Sequence, residues 1–135
     1  MNIVTAYNER PESRRALDWI LTHGPQLAGS HDKVHLHIAL TSGADSPASP
    51  NYGSPTLADA LTTELAATNT AHTIHPAGPD AAAQMLDLAE QEHADLVVIG
   101  MRRRSATMKL LLGSQVQRVM LDAPCPVVTL KSDSD

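Results

Sequence analysis

Phenylalanine is absent from this chain of 135 residues, and its aromatic side chains come down to Trp19, Tyr7 and Tyr52. Any core must therefore be aliphatic, and 16 Leu, 8 Val, 5 Ile and 19 Ala supply it. So much alanine suits helices lying close on a sheet. Cys125 is the one cysteine, so no disulfide can form within the chain and a reducing compartment is expected. No apolar run approaches the ~18 residues of a membrane span. The start, Met1-Asn2-Ile3-Val4-Thr5-Ala6, lacks the positive region and long apolar stretch of a signal peptide. A cytoplasmic protein without a membrane partner is the expectation. The length suits one domain, residues 1–131, followed by a polar tail at 132–135.

Positive charge is scarce over most of the chain. The net charge is −5, which argues against nucleic acid as a partner. The distribution is uneven. Residues 32–100 hold nine acids and one base, Lys33, whereas residues 101–121 hold Arg102, Arg103, Arg104, Lys109 and Arg118 and no acid. An acidic body thus carries one basic segment.

Strand-type and helix-type patterns alternate along the chain. Ile3–Tyr7 reads as a strand, and a helix begins near Pro11 to Ser13, with Gly24-Pro25 expected to end or kink it near His23. Val34, Leu36 and Ile38 alternate with His35, His37 and Ala39 as a second strand. Residues 41–56 carry three Pro and two Gly and read as a long loop within the domain. Thr56 or Ser54 is placed to cap a helix running to about Thr68, before a weak strand at 71–75. Asp80 is a good N-cap for a helix over Ala81 to Glu92. Asp95–Gly100 contains four consecutive apolar residues, the pattern of a parallel strand covered on both faces. A helix over Ser114–Leu121 and a strand over Val127–Leu130 complete the order. Five strands alternating with four helices imply an α/β fold, an open five-stranded parallel sheet with helices on both faces. Ligands in such sheets bind beyond the carboxyl ends of the strands, where strand order reverses.

The stretch from Gly100 to Ser114 leaves the buried strand, runs through the basic residues and ends in Gly-Ser at a helix start. Glycine at 100 permits close backbone approach to a ligand. Gly113 and Ser114 offer N–H groups at the positive end of a helix dipole, and the arginines add fork-shaped donors. The bland alternative is a tight strand exit, a surface basic cluster and an ordinary Ser N-cap. Seven histidines raise the question of a metal, but His35 and His37 merely share a strand face and no Cys/His spacing motif accompanies them, so no metal site is assigned. Cys125, between two prolines, reads as a packed strand-entry residue rather than a nucleophile. Leu110-Leu111-Leu112 reads as core or dimer surface.

Ala94–Gly100, Leu110–Ser114, Arg118-Val119 and Ala123–Val128 together resemble the C-terminal signature of the universal stress protein family. Ile3–Ala6 and Pro11–Leu17 are similar to its first strand and helix. The resemblance implies a Rossmann-like domain of the adenine-nucleotide-binding type, a homodimer paired through the final strand, Val127–Leu130, and ATP or AMP as ligand. By position it places Asn8, Ile38, Gly100, Met101, Arg102, Arg103, Gly113, Ser114 and Gln115 at the nucleotide site, with Ile38 lining the base pocket. Three positions depart from the pattern: Asn8 stands for an Asp, Glu9 for a Gly, and Arg103 for the middle Gly of the phosphate motif. Gln115 replaces a hydrophobic residue. Asn8 keeps one acceptor oxygen but loses the charge. Arg103 either pairs with a phosphate or fills its space. The departures leave two functions open: a regulatory nucleotide binder, or an interaction module of the same fold acting through dimerisation and a protein partner. No evident nucleophile–base pair or motif-placed carboxylate for Mg²⁺ supports a hydrolase, so the chain is not expected to be an enzyme.

Overall fold

A computed structural model of the chain describes residues 1–8, 10–30, 32–40, 55–76, 80–102 and 113–132, the side chains of 55, 56 and 102 excepted. The elements are β1 (Asn2–Tyr7), α1 (Pro11–Ala28), β2 (His35–Leu40), α2 (Pro55–Ala67), β3 (Ala71–His75), α3 (Ala81–Gln91), β4 (Leu96–Arg102), α4 (Ser114–Asp122) and β5 (Val127–Ser132). The strands form one sheet in the order β3-β2-β1-β4-β5. Every pairing is parallel.

Strand side chains alternate between faces, and the consecutive apolar residues of β1 and β4 therefore feed two cores. Ile3, Leu36, Ile38, Leu96 and Val98 pack with Ala16, Leu17 and Ile20 of α1 and with Leu61 and Leu65 of α2. Val4, Ala39, Val97 and Ile99 pack on the other face with Ala82, Met85, Leu88 and Ala89 of α3 and Val119 of α4. Thr5, fully buried in β1, donates its hydroxyl to the Val98 carbonyl at 2.7 Å and ties the two central strands together.

Local chemistry accounts for several boundaries. Asp80 caps α3, its carboxylate accepting from Ala83 N at 3.1 Å. Pro11 occupies the start of α1, where its missing N–H costs nothing. Arg14 of α1 reaches Glu64 of α2 through both terminal guanidinium nitrogens, with Nη1 at 2.8 Å, and also binds Asp18. These bonds hold the Glu64 carboxyl below its usual range and push the Arg14 guanidinium further up.

Three expectations are corrected. Helix α1 does not end near His23; it runs through Gly24-Pro25 to Ala28. Gly24 is buried there, and a Cβ would lie 3.3 Å from Val34 Cγ2, so the glycine serves close helix–sheet packing rather than termination. Thr56 lies inside α2 and so is not its cap. Helix α4 begins at Ser114, as expected, with Gly113 as its cap and no side-chain bond there. Ser132 belongs to β5, opposite Arg102, and is buried rather than part of a tail. Most of the loop at 41–56 and Leu110–Leu112 lie outside the described residues, as does the chain from 133 onward.

Candidate functional site

Strand order reverses between β1 and β4: the chain leaves β1 toward β2 on one side and returns to β4 on the other. A cavity of about 270 Å³ opens at the carboxyl ends of these two strands. It is lined by Ala6, Asn8 and Arg10 from the end of β1, Glu12 and Ser13 of α1, Ala81, Ala82 and Met85 of α3, Ile99 and Gly100 of β4, and Gln115, Val116 and Val119 of α4. First-turn residues of three helices thus meet around one space. Their backbone N–H groups give it a positive lining.

Three polar contacts shape this cavity. Asn8 Oδ1 accepts from Arg10 N at 3.0 Å and from the Ser13 hydroxyl at 2.8 Å, so the side chain organises the entry into α1. Gln115 Oε1 accepts from Ala82 N at 2.9 Å, which bridges the start of α4 to the start of α3. Gly100 sits against the first turn of α1. A Cβ there would run into the Glu12 carbonyl and lie 3.0 Å from Glu12 Cβ. The close approach that glycine permits at 100 is made by protein backbone.

Of the residues the sequence places at the site, Asn8, Gly100 and Gln115 come together around the cavity. Ile38 does not line it. That side chain is fully buried on the opposite face of the sheet, between α1 and α2, because position 38 alternates out of the face that carries Ala39. Met101 is half-buried in β4, opposite Lys131. Gly113 and Ser114 are exposed at the start of α4, and among the described residues nothing lies within 4 Å of a Cβ at Gly113. Arg102 ends β4, while Glu9 and Arg103 lie outside the described residues. Arg118, from the basic segment, pairs with Asp80 at 2.7 Å, and the pair holds the Asp80 carboxyl below its usual range. Sequence reasoning missed Glu12, Ser13 and the α3 residues. The first two stood in plain view at a helix start, but α3 is brought in by tertiary packing and leaves no local signal.

Two further features bear on chemistry. On the α3 face of the sheet, His35 and His37 stack with centroids 4.5 Å apart, and His75 lies 5.8 Å from His37. Burial lowers the His37 pKa, the charge of His35 adds to this, and Glu92, 4.0 Å away, opposes it. Among the described residues no group of three or more His, Cys, Asp or Glu is arranged to hold a metal ion. Burial, followed by Asp95, pushes the Cys125 thiol up, which disfavours the reactive thiolate. A wider groove of about 520 Å³ runs between α1 and β5, past Arg14, Arg15, Asp18, Trp19, Leu130 and Ser132, along the edge of the sheet rather than at the β1–β4 reversal. No described helix is long and apolar enough to cross a membrane.

Residues 1–131 match the universal stress protein family. The chain belongs to that family. A universal stress protein of Mycolicibacterium smegmatis is 32% identical over 130 residues, 96% of each chain. Among solved structures, a family member from Arabidopsis thaliana with AMP bound superposes with a TM-score of 0.71 at 14% identity, covering 100% of this chain and 94% of that one. A universal stress protein in complex with cAMP does so with a TM-score of 0.65 at 22% identity, covering 98% of each. At these identities the structures speak for the fold, and this universal stress protein shares it.

Proposed function

We propose that the cavity between β1 and β4 holds an adenine nucleotide, AMP or ATP, and that the protein acts by binding it rather than by turning it over. The observation that carries this reading is the convergence of the first turns of α1, α3 and α4 on one space at the point where strand order reverses. The bound AMP and cAMP named for two relatives of the same fold support it. Within this proposal Asn8, Gly100 and Gln115 shape the site, Gly113 and Ser114 present the start of α4 to the phosphate, Met101 and Arg102 end the strand beside it, and Arg103 is assigned by the family motif alone. A ligand that binds only the folded state stabilises it by RT ln(1 + [L]/Kd), so millimolar AMP or ATP raises the melting temperature. Absence of a shift with either nucleotide, together with a flat calorimetric titration, refutes the reading and leaves an interaction module as the alternative.

The protein is further proposed to be a cytoplasmic homodimer paired through Val127–Leu130. Strand β5 ends the sheet order and is paired on one side by β4. Light scattering reads the outcome directly as the mass of one chain or two.

A further inference from the structure

The polar side chains around the strand-end cavity are not equally satisfied. Asn8 Oδ1 has two donors, the Ser13 hydroxyl is spent on Asn8, and Gln115 Oε1 holds Ala82 N. Glu12 differs. Its Oε2 is buried and has no hydrogen-bond partner among the described residues. The residue lines the cavity from the first turn of α1, and its backbone is seated against Gly100, where no side chain intervenes. A carboxylate can only accept, and a buried acceptor left without a donor forfeits the hydrogen bonds it made to water.

We infer that Glu12 is a specificity-determining residue that selects a nucleoside or nucleoside monophosphate over a triphosphate. This inference rests on the reading of the cavity as a nucleotide site. Ribose hydroxyls and an exocyclic amine bring the O–H or N–H donors that Glu12 Oε2 lacks. Phosphate oxygens at neutral pH bring none, and each added phosphate brings negative charge toward a carboxylate in a partly desolvated space. The helix starts and Arg10 of the lining favour an anionic group, and Glu12 opposes the accumulation of several. Glu12 thus sets an upper bound on ligand charge and demands a donor in return.

The test is isothermal titration calorimetry of the full chain with adenosine, AMP and ATP at one fixed ionic strength, in EDTA-containing buffer. Wild-type protein is expected to bind adenosine or AMP about tenfold or more tightly than ATP. Glu12→Gln keeps the side-chain shape but removes the charge, and is expected to bring the three affinities within about threefold, chiefly by improving ATP. ATP binding to wild type as tightly as AMP overturns the inference while leaving the nucleotide reading intact. An unchanged ratio in both Glu12→Gln and Glu12→Ala, with thermal melts showing folded variants, overturns it equally. Silence with all three ligands in wild type overturns the nucleotide reading and this inference with it. The wild-type ranking needs no variant, so a misfolded substitution does not remove the test.

Discussion

Substituting Gly100 by alanine places one methyl group where the first turn of α1 meets β4. The built Cβ would run into the Glu12 carbonyl oxygen, with Glu12 Cβ at 3.0 Å. The obstacle is backbone rather than the end of a flexible chain, so relief requires α1 or β4 to move. Both elements are anchored: α1 carries Ala16, Leu17 and Ile20 into one core, and β4 sends Val98 to that core and Val97 to the other. Overpacking of this kind costs about 1–3 kcal/mol, and a backbone obstacle puts Gly100→Ala at about 3 kcal/mol. In a domain of this size each kcal/mol moves the melting temperature by about 3–4 °C, so a fall of about 10 °C is expected. The internal control is Gly113→Ala, where a Cβ meets no described residue within 4 Å and φ is −58°. That variant loses only a glycine cap and should stay within about 1 kcal/mol of wild type. Thermal and urea unfolding of the two variants side by side supply the measurement. If Gly100→Ala melts within about 2 °C of wild type, the contact between Gly100 and the Glu12 backbone is not tight, and the explanation of this glycine by protein packing is wrong.

Two more outcomes are expected. Asn8→Ala removes the acceptor for Arg10 N and for the Ser13 hydroxyl and should destabilise the protein by about 1–2 kcal/mol in urea unfolding; loss of only a few tenths would show that Asn8 does not organise the start of α1. His37 has its folded pKa lowered below the ordinary 6.5, so the unfolded chain takes up the proton first. Its contribution is present above about pH 6.5 and is lost as pH falls through the depressed folded value. The urea midpoint should therefore fall between about pH 7 and 5.5 in wild type, and fall less in His37→Gln. The carboxylates held low by their partners, Asp32 beside the Met1 amino group, Glu64 and Asp80, lose their contributions only at lower pH, so the two windows separate.

Much of the architecture was legible because each element announces itself locally. Four apolar residues in a row at Leu96–Ile99 can only be a strand covered on both faces, and Asp80 before Ala81 marks a helix start. The less legible features depend on partners distant in sequence. Gly24-Pro25 looks like a helix terminator until Val34 is found packed against Gly24. Ile38 looks like a pocket residue until its face of the sheet is known, since a shift of one position along a strand exchanges pocket for core. Gly100 reads as a place where backbone approaches a ligand, whereas the group found against it is Glu12 O, which no spacing rule relates to position 100. Glu12 itself was visible as one of several acids; only the burial of its unpartnered Oε2 among the described residues distinguishes it.

The near absence of aromatic side chains has an optical consequence. Trp19, the chain's one tryptophan, sits in the α1–β5 groove beside Leu130 and Ser132, with the His23 ring 5.0 Å away. Its emission therefore reports on the edge of the sheet. None of the described residues lining the strand-end cavity is aromatic. Entry of the proposed ligand there should be quiet in intrinsic fluorescence, whereas the proposed pairing of two chains along β5 should alter the surroundings of the fluorophore. A single cuvette experiment thus separates the two events: a signal that follows protein concentration belongs to assembly, and a nucleotide titration must be followed by heat or by an absorbing ligand.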